Sequence, residues 1–180
     1  MTVAAVIVAA LALLFTVASF WWIQVRRGRV VSYEPQTYSG YIMSGGFRVR
    51  LPLTIYNTGA RTLVVVDLRL SFVDQDVTVP VITFRRTVKP TTGDLEDFAH
   101  PFAVPGRSAV SRFVEFGTKH WAPNPDTRYR LRVEARTGDD GEWSKLLEFE
   151  LSSPEKEKAG VYIAYRRDPA DDAPPLPDVV

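Results

Sequence analysis

The side chains most often used for catalysis and metal binding are sparse in this sequence. His100 and His120 are the only histidines, and cysteine is absent. Disulfides, thiolate–zinc sites and thiol nucleophiles are therefore excluded, and neither histidine stands in a His/Asp spacing that would hold zinc. His120-Trp121, in a proline-containing loop, reads as a packing feature. Asp74-Gln75-Asp76 and Asp139-Asp140-Gly141 cluster oxygens of the kind Ca²⁺ takes. Both lack the full EF-hand spacing, and Asp and Gly are ordinary hairpin-turn residues. Ser44, in the run Tyr41 to Gly46 (YIMSGG), has glycine neighbours without the G-x-S-x-G order of a nucleophile elbow. Gly45-Gly46 instead permits a turn before the next strand. No glycine-rich loop precedes a soluble helix, so no phosphate cradle is present. The sequence nominates no nucleophile–base pair and no cofactor, and it reads as non-enzymatic.

Charge offers more. Lys and Arg total 22 against 21 Asp and Glu, a net charge of +1 that gives no global attraction to nucleic acid. Seventeen of the basic residues are arginine, whose fork makes bidentate contacts with carboxylate or phosphate. Arg128, Arg130, Arg132 and Arg136 recur at spacings of two and four, which puts them on one face of one strand. A solvated sheet face, neutralised across strands by residues such as Asp67 or Glu134, is the ordinary expectation. A docking face for an acidic protein or for anionic lipid head groups is the functional one. No aromatic platform interleaves the stripe, which argues against nucleic acid. The tail, residues 168–180, has four Pro, four Asp and no basic residue. It is expected to be disordered, and Pro174-Pro175-Leu176-Pro177 fits a polyproline II ligand as most Pro-rich tails do.

These side chains need positioning, and the chain divides accordingly. Residues 3–25 read VAAVIVAALALLFTVASFWWIQV, without charge, Pro or Gly. As a helix that run spans roughly 34 Å, enough for a hydrocarbon core about 30 Å thick. Trp21 and Trp22 fall where an interfacial aromatic belt lies, and Arg26, Arg27 and Arg29 form a basic flank. A cleaved signal peptide is the alternative. It lacks support because no basic n-region precedes the run and the run exceeds the usual h-region length. Residues 1–27 are thus the transmembrane anchor with its flank, and 28–46 a juxtamembrane segment with the first strands. Residues 47–167 form the main domain.

That domain alternates. Phe47, Val49, Leu51, Leu53 and Ile55 share one face of a strand, with Arg48, Arg50, Thr54 and Tyr56 opposite. Pro52 predicts an edge or a bulge. After the turn Asn57-Thr58-Gly59-Ala60, a second strand is expected to bury Val64, Val66, Leu68, Leu70 and Phe72, closing a hairpin with the first. Further strands are expected over 77–88, 98–104, 109–116, 129–135, 143–151 and 161–165, with a polar loop at 89–97. Tyr129, Leu131, Val133 and Ala135 point inward, and Tyr129 stands where a tyrosine corner would place it. Seven to nine short strands without a second helical pattern predict a mainly β, antiparallel sandwich of immunoglobulin type, preceded by one transmembrane helix. A helix-containing α+β domain is the alternative.

Leu53-Thr54-Ile55-Tyr56-Asn57-Thr58-Gly59, the strand to Phe72, and Val104-Pro105-Gly106-Arg107-Ser108 together resemble bacterial immunoglobulin-like, adhesion-related (CARDB-type) domains. The resemblance implies an N-x-G hairpin and a P-G-x-S turn ahead of a later strand. It covers roughly 70 residues through turn chemistry, which bears on fold rather than function. Such domains are commonly extracytoplasmic tandem copies. Here the arginines after the helix predict the cytoplasmic side instead, because flanking Lys and Arg favour that compartment. The functional expectation is a membrane-tethered interaction module or an accessory subunit of a membrane complex. An exported adhesion-like or ligand-binding domain and a membrane-anchored enzyme without a recognisable motif are the alternatives.

Overall fold

The computed structural model describes residues 2–43, 45–125, 127–138, 141–153 and 162–166. Helix α1 (Val3–Phe20) continues as a single wider π turn over Trp21–Val25, giving one apolar helix of 23 residues, none of them buried. By length and composition it can cross a membrane.

Among the described residues eleven strands follow: β1 (Val30–Ser32), β2 (Thr37–Met43), β3 (Gly46–Asn57), β4 (Leu63–Phe72), β5 (Val77–Arg85), β6 (Leu95–Phe98), β7 (Phe102–Val104), β8 (Ala109–Thr118), β9 (Arg128–Thr137), β10 (Trp143–Ser152) and β11 (Ile163–Arg166). All pairings are antiparallel. One sheet runs β11-β2-β3-β8-β5-β6, with β1 also on β3. The other runs β10-β9-β4, with β7 and the start of β5 on the free side of β4. Strand β5 passes between them, pairing Val77–Pro80 with β4 and Val81–Arg85 with β8. The two sheets pack face to face. Phe47 of β3 meets Phe72 of β4 edge to face at 5.4 Å, and Trp121 joins both rings with Tyr129. Edge-to-face packing of this kind adds stability beyond burial alone.

The inward set on β3 and β9 is as the alternation predicts: Phe47, Val49, Leu51, Leu53, Ile55, Tyr129, Leu131, Val133 and Ala135 are all buried. Pro52 falls opposite the gap between β1 and β2, where β3 has a neighbour only in β8. Its missing N–H therefore leaves no ladder bond unmade.

Three expectations fail. Strands β3 and β4 are not a hairpin, because they lie in different sheets and residues 58–62 arch between them. Alternation says which face of a strand is buried; it does not name the neighbour. On β4 the inward residues are Leu63, Val65, Leu68, Leu70 and Phe72, while Val64 and Val66 are exposed. A bulge between Val65 and Asp67 inserts one extra residue and reverses the alternation there. The polar segment 89–97 also differs, since its end pairs with β5 as the edge strand β6. The tail 168–180 and the Pro-rich motif within it lie outside the described residues.

Candidate functional site

The junction between helix and domain is built from backbone contacts. Arg26 N–H donates to the Trp21 carbonyl at 2.9 Å across the π turn. The Trp22 carbonyl, among those a helix end leaves without an internal donor, accepts from the Arg107 guanidinium. Residues 26–29 then run against the turn after β3. Ala60 N–H donates to the Arg26 carbonyl (2.9 Å) and Thr58 N–H to the Arg29 carbonyl (3.1 Å). Arg29 N–H donates in turn to the Thr58 hydroxyl (3.0 Å). Gly28 and Gly59 touch through their backbones: a Cβ on Gly28 would come within 1.9 Å of the Gly59 nitrogen. Any side chain at either position would separate linker from domain. The turn after β7 completes the stack, with Arg107 N–H bonded to the Gly59 carbonyl (2.8 Å) and Asn57 N–H to the Ser108 carbonyl (3.0 Å). The buried Asn57 amide ties both turns, donating to the carbonyls of Arg61 and Val104.

The second concentration of charge is internal. On the outer face of the β3–β8–β5 sheet, the segment 86–94 folds back and covers Arg50, which is only 1% exposed. The Arg50 guanidinium donates to Asp94 (2.6 Å), Glu115 (2.9 Å) and the Thr87 carbonyl (2.9 Å). Arg85 bridges the same two carboxylates, and Arg48 reaches Glu115 from the rim. Tyr162 lies across the cluster, stacked on Tyr41 at 4.8 Å and facing the Arg50 guanidinium at 5.4 Å. Burial works to raise the Glu115 pKa, but hydrogen bonds and charge from Arg50 and Arg85 outweigh it and hold the carboxyl below its ordinary range. Asp94 is lowered by the same balance, its bonds to Arg50 and the Thr91 N–H opposing burial. Burial, then the Glu115 charge, pushes the Tyr162 phenol upward. Both carboxylates are clamped in their ionised form, so this geometry suits a structural lock better than proton transfer.

The arginine stripe occupies the outer face of the other sheet. Arg128 pairs with Glu150 (3.4 Å), Arg130 with Asp74 (3.0 Å), Arg132 with Glu148 (3.0 Å) and Arg136 with Asp67 (3.5 Å). Arg69 pairs with Glu134 beside them. The Arg132 hydrogen bond holds the Glu148 carboxyl below its usual range. This face is a mosaic of near-equal opposite charge, open to water.

Trp21, Trp22, Arg26, Arg27 and Arg29 stand at or just beyond the helix end, as the sequence predicts. Asp74 is engaged by Arg130, and His100 packs edge to face on Phe84 with its Nδ1 at 2.9 Å from the Phe98 carbonyl oxygen. Ser44, Asp139 and Asp140 lie outside the described residues. Among the described residues, no group of three or more His, Asp or Glu converges to hold a metal ion. Sequence reasoning missed the Arg50 cluster and the part Arg107 plays at the junction. The signals available were an arginine in a strand otherwise rich in core residues and an arginine at the third position of a P-G-x-S turn. No family model matches this chain, and comparison with curated proteins finds no significant relative.

Proposed function

We propose that this chain is a membrane-tethered interaction module, acting without catalysis of its own, either alone or as an accessory subunit of a membrane complex. The observation that carries this reading is the junction: linker, helix end and two domain turns are joined by hydrogen bonds, so the sandwich is held in one pose relative to the helix. A domain held this way meets a membrane partner at raised effective concentration and in a fixed orientation. An immunoglobulin-like topology is part of the reading. Strands β3–β8–β5 and β4–β9–β10 correspond to the B–E–D and C–F–G pairings of such a sandwich. The Tyr129 hydroxyl accepts from Asn124 N–H (2.6 Å), five residues upstream, as a tyrosine corner does.

Photo-cross-linking in native membranes tests the module. A photoreactive residue is placed at Phe98 or Leu95 on the exposed edge strand β6, or at Arg130 on the stripe. A reproducible adduct from one face and not the other is expected. Folded protein giving no adduct from either face would overturn the reading.

We further propose that the domain lies in the cytoplasm, because Arg26, Arg27 and Arg29 follow the helix directly and basic residues flanking a span favour that side. The resemblance to adhesion-related domains favours the exported alternative. A single cysteine at exposed Lys119, in a chain that has none, decides between them. Labelling by an impermeant maleimide only after lysis is the expected result, and equal labelling of intact cells reverses the placement.

A further inference from the structure

Among the described side chains, arginine pairing is almost complete except at one end. Arg48, Arg50, Arg69, Arg85, Arg112, Arg128, Arg130, Arg132 and Arg136 each form an ion pair with a carboxylate. Among the described side chains, six arginines form none: Arg26, Arg27, Arg29, Arg61, Arg86 and Arg107. Five of those six lie on the segments that meet at the helix exit. Arg26, Arg27 and Arg29 are the linker. Arg61 follows Ala60, whose N–H is bonded to the Arg26 carbonyl. Arg107 touches the last turn of the helix through the Trp22 carbonyl, and all but half-buried Arg26 are exposed.

We propose that these five arginines form a collar that binds the anionic head groups of phospholipids in the leaflet against which the domain rests. Depth and charge both point there. Trp21 and Trp22 mark the interfacial layer of a helix that spans the hydrocarbon, so the collar stands at phosphate level. Arginine at that depth offers forked N–H donors to phosphate oxygens, and each basic residue near an anionic surface adds a favourable increment. Arg107 adds a second observation. Its backbone is left-handed (φ 54°), a conformation glycine or asparagine adopts at less cost, yet it carries a long cationic side chain aimed at the helix end. The two collar residues from the domain are far from the linker in sequence, so the seat exists only when the sandwich has folded and docked. The inference rests on the tethered-module reading only in needing the helix in the bilayer.

The test uses the full chain reconstituted in vesicles of phosphatidylcholine containing trace spin-labelled phosphatidylglycerol or phosphatidylcholine. The fraction of each label immobilised by the protein is then compared. Wild type is expected to select phosphatidylglycerol, and Arg61→Ser with Arg107→Gly to weaken that selection by about fivefold per arginine removed. Glycine relieves the left-handed position, so loss of selection is not loss of fold. Arg61→Lys with Arg107→Lys should retain most of it. Equal immobilisation of both lipids by wild type overturns the proposal. So does unchanged selection in the Ser/Gly variant, which would assign the effect to the linker alone. Flotation of the same vesicles separates this result from a failure of tethering, in which the protein would not travel with lipid at all.

Discussion

Arg48 and Arg50 alternate along β3 as Arg130 and Arg132 do along β9, yet Arg50 lives in a different dielectric from Arg130. Outside β9 the sheet meets water, and Arg130 is half exposed with Asp74 beside it. Outside β3 the segment 86–94 and Tyr162 close over the face, leaving Arg50 at 1% and Glu115 at 0% exposure. The same residue type at the same spacing is therefore a weakly coupled surface charge in one sheet and a desolvated keystone in the other. Coulomb attraction strengthens as the effective dielectric constant falls, but so does the cost of leaving one partner alone. What differs is not the strand but what lies on top of it.

Breaking that keystone should give the largest effect. Arg50→Ala in the full chain, held in nanodiscs, is expected to cost about 3–5 kcal/mol by chemical denaturation, because it strands Glu115 and Asp94 in a buried site. A cost under about 1 kcal/mol would show that the cover opens readily to water. Leu131→Ala, a core truncation in β9, should cost about 2–4 kcal/mol by the same measurement.

Acid sharpens the contrast. The folded pKa values of Glu115 and Asp94 lie below their unfolded ones. Their stabilisation is therefore fully present above the unfolded values and is lost as pH falls through the folded ones. Unfolding midpoints measured from about pH 5 downward should drop more steeply in wild type than in Glu115→Gln. Parallel slopes would remove the cluster from the acid response.

The smallest effects belong to the open face. Arg130→Ala and Val66→Ala should each change stability by no more than about 0.5 kcal/mol, both being exposed. If Arg130→Ala approached Arg50→Ala, the two faces would not differ as described.

Legibility followed the range of the physics. Residues 3–25 announced a helix long enough to span a membrane, because the run is continuously apolar over 23 residues. The inward faces of β3 and β9 were legible from period-two spacing, and Tyr129 from its place at a strand start. The β4 bulge was not, because one inserted residue changes the phase without changing composition: Val64, Val65 and Val66 are identical side chains with different fates. The helix–domain junction was half visible, since the linker arginines stand in sequence beside the helix while Arg107 does not.

The sequence alone determined the apolar helix long enough to cross a membrane, the mainly β class and the alternation of most strands, all of which depend on neighbours within a few residues. Tertiary structure decided that β3 and β4 face each other across the core instead of pairing. It also decided that Arg50 is buried under 86–94 and that Arg61 and Arg107 join the linker at the helix exit. Each of those outcomes depends on which distant segment covers a surface, and burial, not residue type, sets what a charge there costs and what it can bind.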